Sequence, residues 1–189
     1  MPRGVKQPER HRPSPERLRA LAGVVFDCDG VLTDGGLYYD DNGARLLRFD
    51  AKDGLGVALL CRSGVKVGVL SGRPTTVARR RFEELGVHAF VGQSHDKGEG
   101  LRALAETLGI EVAACAFVGD DLPDLPAFAC AGLRVAVADA VPEVKAASDW
   151  ITRAGGGRGA VREICQAILE ARGAWPRGAK AARRRRTSR

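Results

Sequence analysis

Short apolar runs alternate with amphipathic stretches along this chain. Val24-Val25-Phe26 is the first run, and it stops at Asp27. Residues 65–70 form a second that ends at Ser71-Gly72, and Ala89-Phe90-Val91 a short third. Residues 115–118 form a fourth, ending at Gly119-Asp120, and 133–137 a fifth. The stretches between them, 53–62, 74–85, 97–108 and 122–130, read as helices. A last helix, about 159–171, follows the glycine-rich segment 155–159. Near-continuous apolar strands alternating with helices predict a parallel α/β sheet.

One segment interrupts the alternation. Residues 37–40 and 44–49 flank Asp41-Asn42-Gly43, and Asn-Gly accepts the positive φ values of a tight turn. The spacing predicts a hairpin directly after the first strand, standing over the strand's carboxyl end.

Charge divides the chain into three parts. Residues 172–189 hold eight Lys/Arg and no acid, and residues 1–19 carry a net +4. With +8 and +4 in the ends and +7 in total, residues 20–171 are left at −5. We therefore expect a basic extension at 1–20, one domain at 21–173 and a basic tail at 174–189, with both ends disordered. Runs such as Arg183-Arg184-Arg185-Arg186 allow nonspecific nucleic-acid contact, but a solvated end is the expectation. No stretch of about 20 apolar residues is present to span a membrane. The N-terminal stretch lacks the apolar core of an export signal. The five cysteines (28, 61, 115, 130, 165) form no Cys-x-x-Cys pair and read as reduced thiols of a cytoplasmic protein.

The polar residues cluster where strands end: Asp27 and Asp29, then Ser71, then Asp120 and Asp121. In open α/β sheets that edge binds ligands. Residues i and i+2 of an extended chain point the same way, so Asp27 and Asp29 can face one pocket with Cys28 turned away. Crowded carboxylates repel unless a cation joins them, and an oxygen-seeking ion such as Mg²⁺ suits them. Asp120 could add a further ligand, although Gly119-Asp120-Asp121 ahead of Leu122-Pro123 is also an ordinary helix cap. Ser71 and the Gly72 N–H could hold phosphate oxygens, or simply start a helix. Lys97, between Asp96 and Glu99, is either a surface ion pair or a point charge on phosphate.

The order of these groups carries more than any one of them. The runs Asp27-Cys28-Asp29-Gly30-Val31-Leu32-Thr33-Asp34-Gly35, Ser71-Gly72-Arg73, Lys97, Gly119-Asp120-Asp121-Leu122 and Gly159-Ala160-Val161-Arg162-Glu163 resemble the haloacid dehalogenase superfamily of phosphotransferases. They are similar to its small, capless branch, which includes octulosonate phosphate phosphatases. The resemblance spans about 23–173 and implies a Rossmann-like three-layer sheet with a hairpin insertion after the first strand and no cap domain. It implies that Asp27 is the nucleophile and Asp29 the general acid and base. Mg²⁺ would be held by Asp27, Asp120 and the Asp29 backbone carbonyl. Ser71, Gly72 and Lys97 would bind the phosphoryl group, and Asp121 would support the loop from behind. The resemblance further implies a homotetramer whose neighbouring subunit closes each pocket, with Arg81 reaching across and 155–159 folding over. Lys52, Arg73 and Arg81 suit a carboxylate-bearing sugar phosphate. Arg73 after Ser-Gly favours an octulosonate over a nine-carbon sialic-acid-type ester, and some relatives serve as small subunits of aromatic carboxylase systems.

Other chemistries fit poorly. No cysteine has Arg six residues on, as a cysteine phosphatase requires, and no Gly-Lys dipeptide supplies a P-loop. A receiver-like phosphoacceptor module would place its acidic pair before the phosphorylated Asp and would lack Asp29.

Overall fold

The structure is a computed structural model that describes residues 12–93 and 96–176. Most of both basic ends, residues 1–11 and 177–189, lies outside the described residues.

Six strands form one parallel sheet: β1 (Gly23–Asp27), β4 (Lys66–Ser71), β5 (Ala89–Gly92), β6 (Cys115–Gly119), β7 (Leu133–Ala136) and β8 (Trp150–Ile151). Their spatial order is β5-β4-β1-β6-β7-β8. Every residue of β1 and β6 is buried, as expected of runs covered on both faces. The chain leaves β1 for β4 and β5 on one side, then returns to lay down β6 and β7 on the other. With right-handed crossovers, this reversal sends the intervening helices to opposite faces and opens a crevice at the carboxyl end of β1.

On one face, α2 (Ala51–Arg62) packs against α7 (Ala160–Ala171) and α3 (Thr76–Leu85). On the other, α4 (Lys97–Leu108) packs against α5 (Leu125–Phe128), β4 and β5. Caps explain where the helices begin. Asp50 accepts the Lys52 and Asp53 N–H groups, so α2 starts two residues earlier than its apolar period suggests. Asp96 caps α4 through Gly98 and Glu99, and Gly109 ends it in the left-handed conformation.

Several expected bounds shift. The helix expected over 122–130 is a 3₁₀ turn at Leu122–Asp124 followed by α5, because Pro126 lacks the N–H that a continuous helix would bond back to Leu122. The short α6 (Pro142–Ala147) and β8 were not expected. Nor was α1 (Pro15–Ala20), which lies inside the expected disordered extension 1–20. Its Leu18 is fully buried, Arg17 pairs with Asp149 at 3.0 Å, and Arg19 donates to the Ala171 carbonyl. One buried leucine and these two polar ties dock a segment whose prolines and charge read as loose. At the other end, Ala174 N–H donates to Leu169 and the Arg162 guanidinium sits 4.4 Å over the Trp175 ring, beyond the expected boundary at 173.

The hairpin exists but is short: β2 (Tyr38–Tyr39) pairs antiparallel with β3 (Arg45–Leu46). Asp40 closes its turn by accepting the Asn42 and Ala44 N–H groups. A Thr33–Phe49 bridge roots it beside the β1 loop. Among the described residues no helix is long and apolar enough to cross a membrane.

Candidate active site

Asp27 is the last residue of β1, and the chain then turns sharply through Cys28–Leu32. Lys97 is the first residue of α4 and is buried, with 7% exposure. Its Nζ lies 2.8 Å from Asp27 Oδ1 and 2.5 Å from Asp124 Oδ1. Lys97 is therefore not the surface ion pair its acidic sequence neighbours suggested. Asp124 has no exposure at all and holds a second set of contacts. Its Oδ2 accepts the N–H groups of Asp120 at 2.8 Å and Asp121 at 3.2 Å. One carboxylate thus fixes both the ammonium and the loop that ends β6.

Ligand oxygens of Asp27, Asp120 and Asp124 lie within 4.8 Å of one another. Three carboxylates and one ammonium in a sparsely solvated site leave an excess of negative charge. Burial first, then the Asp124 charge, hold the Asp27 carboxyl well above the usual carboxylate range, against the pull of Lys97. Burial, then Asp27 and Asp124, push Asp120 up to about 8. Burial works against the Lys97 charge, but Asp27 and Asp124 more than offset it and raise the ammonium pKa. A cluster of hard oxygen donors that resist ionising together fits a divalent cation such as Mg²⁺.

Of the metal set expected from sequence, Asp27, Asp120 and the Asp29 backbone carbonyl, the first two carboxylates stand together in the cluster. The Asp29 carboxylate turns to the hairpin, where Arg45 Nη2 donates to its Oδ1 at 2.6 Å. The third clustered carboxylate is Asp124. Asp29 retains its backbone carbonyl as a possible ligand.

Ser71 closes β4 with 1% exposure, and its hydroxyl accepts the Arg73 N–H at 3.1 Å. Among the described residues nothing stands within 4 Å of where a side chain on Gly72 would begin. The Arg73 and Lys52 side chains are exposed. Asp121 caps the 3₁₀ turn by accepting the Leu122 N–H at 2.7 Å, and does not join the three-carboxylate cluster. Arg81 is not brought to the cluster within one chain: it pairs with Glu84 at 3.2 Å and lies across Gly54 of α2. The segment 155–159 is packed rather than open. Gly157 N–H donates to Val31, Arg48 donates to the Gly157 carbonyl, and Gly156 N–H donates to Asp139.

Sequence reasoning missed Asp124 and Arg45. Asp124 carried a signal, since a third acid lies four residues after Asp120, but Asp121 had absorbed the capping role. Arg45 carried none, because nothing local ties a hairpin residue to an aspartate 16 positions away.

A strand-end aspartate, a buried lysine and an acidic loop gather at one edge of the parallel sheet, and the haloacid dehalogenase-like hydrolase family matches residues 90–163. The chain is 42% identical over 158 residues to the 3-deoxy-D-manno-octulosonate 8-phosphate phosphatase of Haemophilus influenzae, covering 84% of this chain and 88% of the relative. The Escherichia coli K12 phosphatase of the same name is also 42% identical, covering 84% and 82%. The crystal structure of the Moraxella catarrhalis phosphatase, in complex with magnesium, phosphate and KDO, superposes with a TM-score of 0.80 at 38% identity, covering 83% of this chain and 90% of that one. The chain belongs to this family of phosphoric monoester hydrolases.

Proposed function

We propose that the chain hydrolyses 3-deoxy-D-manno-octulosonate 8-phosphate to the free sugar acid and phosphate, with Mg²⁺ as cofactor. The observation that carries this reading is the 2.8 Å Lys97–Asp27 pair at the end of β1, in a chain 42% identical to phosphatases of that ester. Asp27, Asp120 and the Asp29 carbonyl would hold the ion, with Asp124 bracing the loop behind them. When bound, the ion offsets charge on the transferring phosphoryl group.

Lys97 engages Asp27 Oδ1, which leaves Oδ2 to attack phosphorus. The ester P–O bond breaks as Asp29 gives a proton to the departing sugar oxygen. Asp29 then takes a proton from water, the water oxygen attacks phosphorus, and the bond to Asp27 breaks. Lys97, the Ser71 hydroxyl and the Gly72 N–H hold phosphoryl oxygens. Arg73 and Lys52 stand exposed for the sugar carboxylate, and Arg81 serves a neighbouring subunit. A homotetramer built through the hairpin is supported by its exposed Leu37, Tyr39 and Leu46. The enzyme works in the cytoplasm as one catalytic unit with basic ends, and those ends take no part in the chemistry.

The test is phosphate release from octulosonate 8-phosphate and from nine-carbon sialic-acid-type 9-phosphates, with and without Mg²⁺. The expected result is Mg²⁺-dependent release that favours the octulosonate and vanishes in Asp27→Asn. Preference for the nine-carbon ester, or parental turnover by Asp27→Asn, overturns the assignment.

A further inference from the structure

Asp29 sits on a turn rather than in a strand, and among the described residues one side-chain contact steadies its carboxylate: Arg45 Nη2 to Oδ1 at 2.6 Å. The arginine comes from β3, half of a hairpin that otherwise faces solvent. Tyr39 is 62% exposed and Leu46 57%, yet the Arg45 side chain is only 16% exposed. It reaches inward while its neighbours point out. Its Nε is shielded from solvent and has no partner among the described residues, so Asp29 is the acceptor that explains where this guanidinium lies.

The hairpin that carries it is held in register with the catalytic turn. The Thr33–Phe49 bridge roots it, Tyr38 Oη donates to Asp34 Oδ2 at 3.0 Å, and Arg48 Nη1 donates to the Gly157 carbonyl at 2.8 Å. Asp34 lies five residues after Asp29, on the segment that leaves the turn. Arg45 is therefore delivered from a fixed platform.

From this geometry we infer that Arg45 is a positioning residue: by gripping Oδ1 it aims Asp29 so that Oδ2 faces the ester oxygen, tying the hairpin to proton transfer. An exposed ion pair would be worth little. This one is shielded, and a planar guanidinium fixes the direction of its partner as a lysine ammonium does not. Misplacing an acid by about 1 Å can cost about a hundredfold in rate. The inference rests on the reading of Asp29 as the acid of the reaction proposed above.

The experiment exploits leaving groups. An alkyl phosphate needs a proton on its departing oxygen, whereas p-nitrophenyl phosphate expels a stable phenolate without one. Single-turnover release of each leaving group is measured for the parent, Arg45→Ala, Arg45→Lys and Asp29→Asn, with octulosonate 8-phosphate as the alkyl ester. Arg45→Ala should slow alkyl release by about ten- to a hundredfold, leave aryl release near the parental rate and leave KM unchanged. Arg45→Lys should recover part of the alkyl rate, and Asp29→Asn should show the same selectivity more strongly.

Equal loss on both esters, with a lowered Tm in Arg45→Ala and Arg45→Lys alike, would make the contact merely structural and overturn the inference. So would parental alkyl release by Arg45→Ala while Asp29→Asn discriminates, and in that case the assigned function survives. If Asp29→Asn fails to discriminate, or the parent releases no phosphate, the underlying reading falls and takes this one with it.

Discussion

Gly30 and Asp120 meet across the mouth of the sheet. A Cβ on residue 30 would lie 2.0 Å from Asp120 Oδ2, and Gly30 holds a φ of +87°. Both facts demand glycine: a side chain there would be strained and would displace a proposed metal ligand. Gly30→Ala should cost about 1–2 kcal/mol in backbone strain. It should also weaken Mg²⁺ binding about ten- to a hundredfold, the range typical of disturbing the groups around a metal ligand. Denaturant unfolding and calorimetric titration measure the two effects separately. Parental Mg²⁺ affinity in Gly30→Ala would show that Asp120 can move aside without consequence.

The titration of the acidic cluster sets a pH dependence with a definite sign. In the metal-free protein Asp27 and Asp120 are raised, Asp120 to about 8, chiefly by burial. In the unfolded chain both would ionise near pH 4, the ordinary range of about 3.9. Between those values the folded state binds more protons than the unfolded state, so stability contributed by this pair falls as pH rises. Mg²⁺ should reverse the trend, because it binds the ionised form and displaces the protons. Its affinity should rise by about tenfold per pH unit for each proton displaced, until Asp120 is ionised near pH 8. Calorimetry in buffers of different ionisation enthalpy counts the released protons. An affinity flat from acid to alkaline pH, with no proton release, would contradict the cluster's assignment.

Asp124 binds Lys97 with one oxygen and the Asp120 and Asp121 N–H groups with the other. Asp124→Ala should leave a buried ammonium short of one partner and two backbone donors unpaired. Breaking such a buried pair costs about 3–5 kcal/mol. Asp124→Asn keeps the shape and one acceptor, so it should lose less stability while still lowering kcat, since Lys97 would be held by Asp27 alone. Thermal unfolding and steady-state kinetics on the two variants separate folding from function.

The contrast between Asp124 and Asp27 shows what a sequence makes legible. The strand ends were readable because apolar runs stop abruptly at Asp27, Ser71 and Asp120, and sheet physics gathers such ends at one edge. The Lys97 position followed from the helix start after β5. Asp124 was hidden because Asp121 gives a sufficient local account of the same turn. Arg45 was hidden because only tertiary placement of the hairpin brings it to Asp29. β8 has two residues and α6 has six, too short for any periodicity to reveal. In α1, one buried Leu18 outweighs the disordered appearance of its charged and proline-rich neighbours.

Asp53 ties the substrate-side loops to the scaffold. It is a buried residue of α2, and its carboxylate accepts the Gly159 N–H at 3.1 Å and the Arg162 N–H at 2.7 Å. Those donors begin α7, where Gly159 itself offers no side-chain cap. Asp53 thus caps a helix more than 100 residues distant in sequence and fixes the end of the 155–159 segment. Gly157 in that segment donates to Val31 of the turn after β1, so the cap also steadies the loop that follows Asp27. Asp53→Ala should cost about 1–3 kcal/mol for two shielded donors left without an acceptor. It should lower kcat as well, because the turn bearing Asp29 loses a wall. Asp53→Asn, which keeps one acceptor oxygen, should recover much of both. Urea unfolding and kcat on the pair decide the point. A stability loss in Asp53→Ala with kcat intact would show that the 155–159 segment holds its place on Val31 without help from α2.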